Sequence, residues 1–309
     1  MPRRLLPPGS ECLFARLATG VATVDRVLVH VVGPLIRGLE AEWPELTWFF
    51  LRYADPSWHL RLRIFGVPEW LRAVVAPALE DAVAPLLEER TVWRLTYDTY
   101  QREIERYGGA WGILASEQLF ACDSRCALDW IANHPGEDGL DARGLLALLG
   151  ADRMLQDFGW NERTRRVWFG EARDALVRRL RLDRDGEHRL AASFRTRRSR
   201  LEPAIEGRAE DERSRQAERA LERRSAAARP IARAIAQRAT EGRLEAPFAS
   251  IVASHVHLQC NRLLRSAHAE QELVIYDALC RLYDARAARR RAGVGGVTRA
   301  ADGRGEGNR

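Results

Sequence analysis

The stretch that decides the fold is Trp48-Phe-Phe-Leu-Arg-Tyr53, followed by the turn Asp55-Pro56-Ser57 and then His59-Leu-Arg-Leu-Arg-Ile-Phe65. The second run alternates with period two. Leu60, Leu62 and Ile64 take one face of a strand, and His59, Arg61, Arg63 and Phe65 take the other. The first run is aromatic and β-prone, and the Asx-Pro-Ser turn between them makes the pair a hairpin. Toward the C-terminus, Pro68 opens a helix that reaches about Glu88, and Val92–Tyr97 reads as a third strand. Toward the N-terminus, Leu13, Leu17, Val21, Val24, Leu28 and Val31 keep a three-to-four spacing that predicts a helix over 11–42. The fold class is α+β: a small, mainly antiparallel sheet in the N-terminal half and a predominantly helical remainder.

Beyond Tyr100 the pattern is helical, with segments expected at 100–107, 113–133, 141–157 and 163–181 and a polar turn at 182–189. Residues 195–228, dense in arginine and glutamate, read as a solvated helix laced with i,i+4 pairs. Pro230 is expected to start the next helix, and 247–285 forms the last long helical region. The domain layout is a flexible N-terminus over 1–10, one domain over 11–286 with a charged insertion at about 195–245, and a disordered basic tail over 287–309.

Composition excludes several classes. The 309 residues are 46% hydrophobic and 30% charged, ordinary for a globular chain. No apolar run is long enough to span a membrane, and Met1–Ser10, with only a short apolar stretch before Pro7-Pro8, does not read as a signal peptide. All 49 basic residues are arginine, and the net charge is +6. Seven arginines and two acids in 285–309 put +5 there, leaving +1 for the rest, so the body lacks the charge of a nucleic-acid-binding domain. Five cysteines, an odd number, read as reduced thiols of a cytoplasmic protein. Cys122 and Cys126, or His257 and Cys260, are too few ligands to argue a metal site. Neither a phosphate-binding loop nor a dinucleotide fingerprint is present, so no cofactor is expected.

Three constellations carry candidate chemistry. Arg61 and Arg63 concentrate cations on one strand face, where each guanidinium suits a carboxylate, and Arg52 joins them if the hairpin register allows. An ordinary solvated sheet face is the bland alternative. Tyr100-Gln-Arg-Glu103-Ile-Glu105-Arg106-Tyr107-Gly108-Gly109 sets Glu103 and Arg106 three apart, as either a surface ion pair or a ligand-facing pair. Ser254, His257 and Asn261 form one helical stripe, with His255 about 200° away from His257. His257 between Ser254 and Asn261 is a credible oriented acid/base, although a satisfied interior histidine is the commoner case.

Taken together, these blocks resemble a known family. Trp48–Pro56 with His59–Arg63, Tyr100–Gly109, Glu117-Gln-Leu-Phe120 with Asp123-Ser124, and His257-x-x-x-Asn261-Arg-Leu-Leu264 are similar, in family order, to the C-terminal elimination domain of lantibiotic dehydratases. That domain also occurs as a stand-alone protein of thiopeptide-type bacteriocin biosynthesis, and this chain looks like the split form. The resemblance implies a lyase. A separate glutamyl-tRNA-dependent enzyme glutamylates Ser or Thr of a leader-bearing precursor peptide, and this domain expels the glutamate, leaving dehydroalanine or dehydrobutyrine.

The resemblance also implies catalytic roles for Arg61, Arg63, Glu103, Arg106 and His257. Arg52, Ser254 and Asn261 are expected at the substrate. No cofactor, metal, membrane or direct nucleic-acid contact is implied, and a homodimer stays open. The pyridine-forming [4+2] cycloaddition enzymes of thiopeptide biosynthesis share the fold and are the nearest alternative. A non-catalytic leader-peptide-binding module is the alternative of another class. Two departures stand out: Arg265, where the family often has Gly, and the arginine-rich 195–245 stretch.

Overall fold

In the computed structural model, which describes residues 2–137 and 139–302, the hairpin forms as expected. Strand β3 (Trp48–Tyr53) pairs antiparallel with β4 (His59–Phe65). The sheet is larger than the sequence pattern indicates, because residues 12–19 are a strand and not the start of a helix. This β2 (Cys12–Thr19) lies between β4 and β5 (Val92–Tyr97), giving the order β3-β4-β2-β5. Both of β2's neighbours are antiparallel to it. The helical segment that joins β4 to β5, α3 (Pro68–Trp70) running through a π-turn into α4 (Ala76–Glu88), thus connects two parallel strands with β2 inserted between them.

A spacing of four residues fits one face of a strand as well as one face of a helix, which is why Leu13 and Leu17 read as helical. The helical part begins only after Gly20, where the Gly20 amide donates to Thr23 Oγ1 at 2.9 Å. It comprises α1 (Val24–Val27), a π-turn at Leu28–Val32, and α2 (Gly33–Glu42). A short β1 (Leu5–Leu6) pairs with β6 (Tyr100–Gln101), so the helix expected at 100–107 is instead a strand and a 3₁₀ turn at Glu105–Tyr107.

The chain divides into two compact units, 1–159 with 210–268, and 160–209 with 269–309. In the first, besides α1 to α4, the sheet is accompanied by α5 (Ala110–Asn133), α6 (Gly139–Asp157), and later in the chain α9 (Glu212–Thr240) and α10 (Phe248–Leu263). The arginine-rich stretch is not one solvated helix. Its second half lies in α9, which buries Ala217, Ala220, Leu221, Arg224 and Ser225 and runs straight through Pro230. Arg224 is buried because Asp157 at 2.9 Å and Asp123 at 3.3 Å neutralise it.

The second unit holds α7 (Glu162–Arg179), α8 (Arg184–Ile205) and α11 (His268–Asp302). Trp168, Phe169, Tyr276 and Tyr283 form its aromatic centre. The polar turn ends early, since Asp183 caps α8 by accepting from the Gly186 amide at 2.7 Å. Helix α11 continues past 287 to Asp302, and residues 303–309 of the expected tail lie outside the described residues. No helix among the described residues is long and apolar enough to cross a membrane.

Strand β3 is an edge strand, and two helices cover its open side. Ser124 Oγ of α5 accepts from the Phe50 amide at 3.2 Å. Asn261 of α10 accepts from the Arg52 amide and donates to the Arg52 carbonyl, both at 2.9 Å. These side chains substitute for a missing strand and close the edge to further pairing.

Candidate active site

Register decides which side chains share a face. Opposed residues across β3, β4 and β2 are Phe49, Arg63 and Phe14; then Leu51, Arg61 and Arg16; then Tyr53, His59 and Ala18. One sheet face therefore carries Arg16, Arg61, Arg63, His59 and Tyr53. Arg52 sits opposite Leu60 and belongs to the other face. Its guanidinium is buried, donating to Asp25 at 2.7 Å and to the Arg262 carbonyl at 2.9 Å. Arg52 is thus a core residue, contrary to its expected place at the substrate. Asp25 also holds Arg143 at 2.6 Å and Arg265 at 2.5 Å. Arg265, the departure from the family pattern, completes that charge cluster.

Arg63 is 5% exposed and walled by aromatic rings, with its Cζ 4.2 Å from the Phe14 centroid, 4.5 Å from Tyr100 and 5.3 Å from Phe49. The ring faces offer it a quadrupole, worth ~1–2 kcal/mol when desolvated. Its buried Nε and Nη1 have no hydrogen-bond partner among the described residues. Burial pulls its pKa below the usual arginine value. Arg61 is half-buried, and its Cζ lies 3.4 Å from the Tyr53 ring centroid. It donates from Nε to His59 Nε2 at 3.0 Å. Burial, then the neighbouring Arg63 charge, lowers its pKa too. Neither arginine has a carboxylate within ion-pair distance among the described residues.

The second constellation arrives from the turn after β6. Arg106 donates to Glu103 at 2.7 Å, and the pair is about half exposed. Burial works against the Arg106 charge, but the bond to Glu103 outweighs it and the pKa rises. Tyr53 lies within electrostatic reach of both Arg61 and Arg106, and Glu103 within that of Arg63. Gly108 and Gly109 follow with φ of +81° and +100°. A Cβ on Gly108 would sit 2.9 Å from Ile251 Cδ1, so glycine there lets the turn pack against α10.

The third constellation is on α10. Ser254 Oγ accepts from Arg106 Nε at 3.1 Å, which brings that helix to the same site. His257, one turn further, is half-buried. His255 is fully buried, its Nε2 lying 3.1 Å from Ser116 Oγ and its ring packed against Tyr107, Phe120 and Phe158. Burial drives its pKa down to about 3. The two histidines therefore occupy different environments, as the helix geometry requires. Asn261, expected at the substrate, instead spends its amide on the Arg52 backbone.

Sequence reasoning missed Tyr53 and Arg16. Tyr53 is 40% exposed, and its ring packs on the Arg61 guanidinium. Arg16 lies opposite Arg61 and pairs with Asp98 at 3.1 Å. Tyr53 was visible as the last residue of the aromatic first strand of the hairpin, while Arg16 was hidden by the helical reading of β2. Among the described residues, no three His, Cys, Asp or Glu side chains are grouped to hold a metal ion.

A family model described as the C-terminal part of lantibiotic biosynthesis dehydratases matches residues 13–283. Over 155 residues the chain is 29% identical to the subtilin biosynthesis protein SpaB of Bacillus subtilis, a match covering 50% of this chain and 15% of SpaB. The tRNA-dependent lantibiotic dehydratase MibB from Microbispora sp. 107891 superposes with a TM-score of 0.69 at 24% identity, over 94% of this chain and 29% of MibB. The pyridine synthase TbtD from thiomuracin biosynthesis superposes with a TM-score of 0.61 at 17% identity, over 89% of this chain and 98% of TbtD. The chain spans less than a third of SpaB and of MibB, and the likenesses to the solved structures are likenesses of fold.

Proposed function

The chain belongs to the family of lantibiotic dehydratase C-terminal domains, and from that premise we propose that it expels glutamate from glutamylated Ser or Thr of a precursor peptide. The product is dehydroalanine or dehydrobutyrine. The observation that carries this reading is the pair Arg61 and Arg63: two cations on one strand face, one half-buried and one buried, with no carboxylate within ion-pair distance among the described residues. Elsewhere in the same unit buried arginines such as Arg52, Arg102, Arg143 and Arg224 are matched by Asp or Glu. An unmatched buried cation is costly, and an anionic substrate group offsets that cost.

The reaction removes the Cα proton of the modified residue, shifts that electron pair into a Cα–Cβ double bond, and breaks the Cβ–O bond, so glutamate leaves as a carboxylate. The charge that develops on the peptide carbonyl during proton loss needs a preorganised cation, which Arg63 supplies, while Arg61 binds the free carboxylate of the glutamyl group. Arg106 holds a carboxylate of the glutamyl group and Glu103 its ammonium, the half-exposed pair opening to admit them. His257 transfers the proton, as a positioned imidazole on the α10 face shared with Ser254 can. The precursor peptide and a separate glutamylating enzyme are the partners this assigns.

The test is the purified protein with a peptide already glutamylated on Ser or Thr. Mass spectrometry is expected to show loss of one glutamate per event without nucleotide or metal. The pyridine synthase likeness, end to end over 98% of that chain, supports a second reading. A pyridine product from an already dehydrated peptide, with no action on the glutamylated one, would establish that reading instead.

A further inference from the structure

His59 opens β4 on the same face as Arg61 and is 4% exposed. Its two ring nitrogens have opposite tasks. Nε2 accepts from Arg61 Nε–H at 3.0 Å, so it carries a lone pair. Nδ1 lies 2.7 Å from the Ser57 carbonyl oxygen, which only accepts, so Nδ1 carries the proton. The neutral Nδ1–H tautomer is the state that satisfies both. Tyr53, opposite His59 in the register, closes the third side: its ring centroid is 5.6 Å from that of His59 and 3.4 Å from Arg61 Cζ.

We propose that His59, held by the Ser57 carbonyl, and Tyr53 are positioning residues that fix the Arg61 guanidinium so that its Nη end meets the anionic group of the substrate. A guanidinium offers a carboxylate either its Nε side or its Nη end. At Arg61 the Nε–H is already committed to His59, and the Tyr53 ring covers one face of the plane. The Nη end is what remains for the substrate. Arg63 needs no such device, because Phe14, Phe49 and Tyr100 wall it in. The inference rests on the elimination reading and deepens it.

The arrangement holds only while His59 is neutral. Facing it are Arg61 on β4, Arg16 on β2, Tyr53 on β3 and Asp55 in the β3–β4 turn. Burial, with the two arginines, opposes a charged imidazole, whereas the Ser57 carbonyl and Asp55 favour one. Protonation would convert the Nε2 acceptor into a donor beside a cation and release Arg61.

The experiment compares wild type, His59→Phe and His59→Gln on glutamylated peptide, measuring KM and kcat from about pH 5 to 8, with circular dichroism as a check of folding. His59→Phe is expected to raise KM at least about tenfold and to change kcat less, since one charge-assisted contact is misplaced. His59→Gln, whose amide oxygen accepts from Nε–H, is expected to restore most of the affinity and to abolish the rise of KM in acid that wild type should show. Wild-type KM in His59→Phe, or a His59→Gln that is as poor as His59→Phe and keeps the acid rise, overturns the proposal. If His59→Phe does not fold, the acid profile of His59→Gln against wild type decides alone. A wild-type protein that leaves the glutamylated peptide untouched refutes the elimination reading instead, so the two failures are distinguishable.

Discussion

Arg106 reaches across 3.1 Å from the turn after β6 to donate to Ser254 on α10. Through that bond the helix face bearing His257 is tied to the element bearing the Glu103–Arg106 pair, and Tyr53, whose ring packs on Arg61, lies within electrostatic reach of Arg106. The site residues are useful only together, so each prediction separates a role in chemistry from a role in holding the fold.

His257 and His255 should behave oppositely. His257→Ala is expected to fold normally and to stall at the glutamylated peptide, with elimination down by ~10²–10⁴. His255→Ala leaves a cavity among Tyr107, Phe120 and Phe158 and strands Ser116, so it should cost ~2–4 kcal/mol of stability. The molecules that remain folded should turn over near the wild-type rate. Single-turnover elimination alongside thermal unfolding distinguishes the two. A dead but stable His255→Ala would reverse the assignment.

Replacing Arg63 with Met should trade activity for stability. In the absence of substrate Arg63 is a buried cation with no carboxylate within ion-pair distance among the described residues, packed on ring faces and only remotely offset by Glu117 and Glu103. Swapping such a group for an apolar one of similar length is expected to leave stability unchanged or raise it by ~1–3 kcal/mol. Elimination should fall at least about tenfold, the worth of one charge-assisted contact. Urea titration and product analysis on the same preparation test both halves. A variant that is strongly destabilised would mean that Arg63 is structural.

Much of this was legible in the residues, and the failures have physical causes. The β4 alternation was clean, so the face holding Arg61 and Arg63 could be read directly. The 100° step between helical residues separated His255 from His257 without a structure. β2 was misread because Leu13 and Leu17, four apart, satisfy both periods. Arg52 and Asn261 were misassigned because their roles depend on register: pairing Arg52 with Leu60 turns it into the core, and the edge of β3 then claims Asn261. Helix α9 was read as solvated because its arginines look like surface charge. The counter-charge of Arg224, Asp157, is 67 residues away in the chain. Ion pairs of that separation leave no local pattern.

Asn261→Ala tests the edge-capping role directly. Its amide makes two hydrogen bonds to the Arg52 backbone, each worth ~1 kcal/mol net, and removing it leaves a buried N–H and C=O unpaired. A loss of ~2–4 kcal/mol in unfolding free energy is expected on that basis. KM for glutamylated peptide should change little among folded molecules. A stable variant with a much raised KM would return Asn261 to the substrate.

The last prediction concerns acid. His255 is neutral in the folded protein down to about pH 3, because burial opposes its charge and the nearby Arg262 and Arg106 add to that opposition. In the unfolded chain the same imidazole titrates near its ordinary ~6.5. Above that pH both states are neutral and His255 contributes no pH dependence. As the pH falls below it, the unfolded state takes up a proton that the folded state refuses. Stability is then lost at up to ~1.4 kcal/mol per pH unit until about pH 3. His255→Phe keeps the aromatic packing against Tyr107, Phe120 and Phe158 but removes the titrating group. Its stability should therefore fall less steeply than that of wild type between about pH 6 and 4, whatever its value at neutrality. Denaturant unfolding at several pH values gives both slopes. Parallel curves would mean that His255 takes up its proton as readily folded as unfolded, and that the pocket around it is open to water.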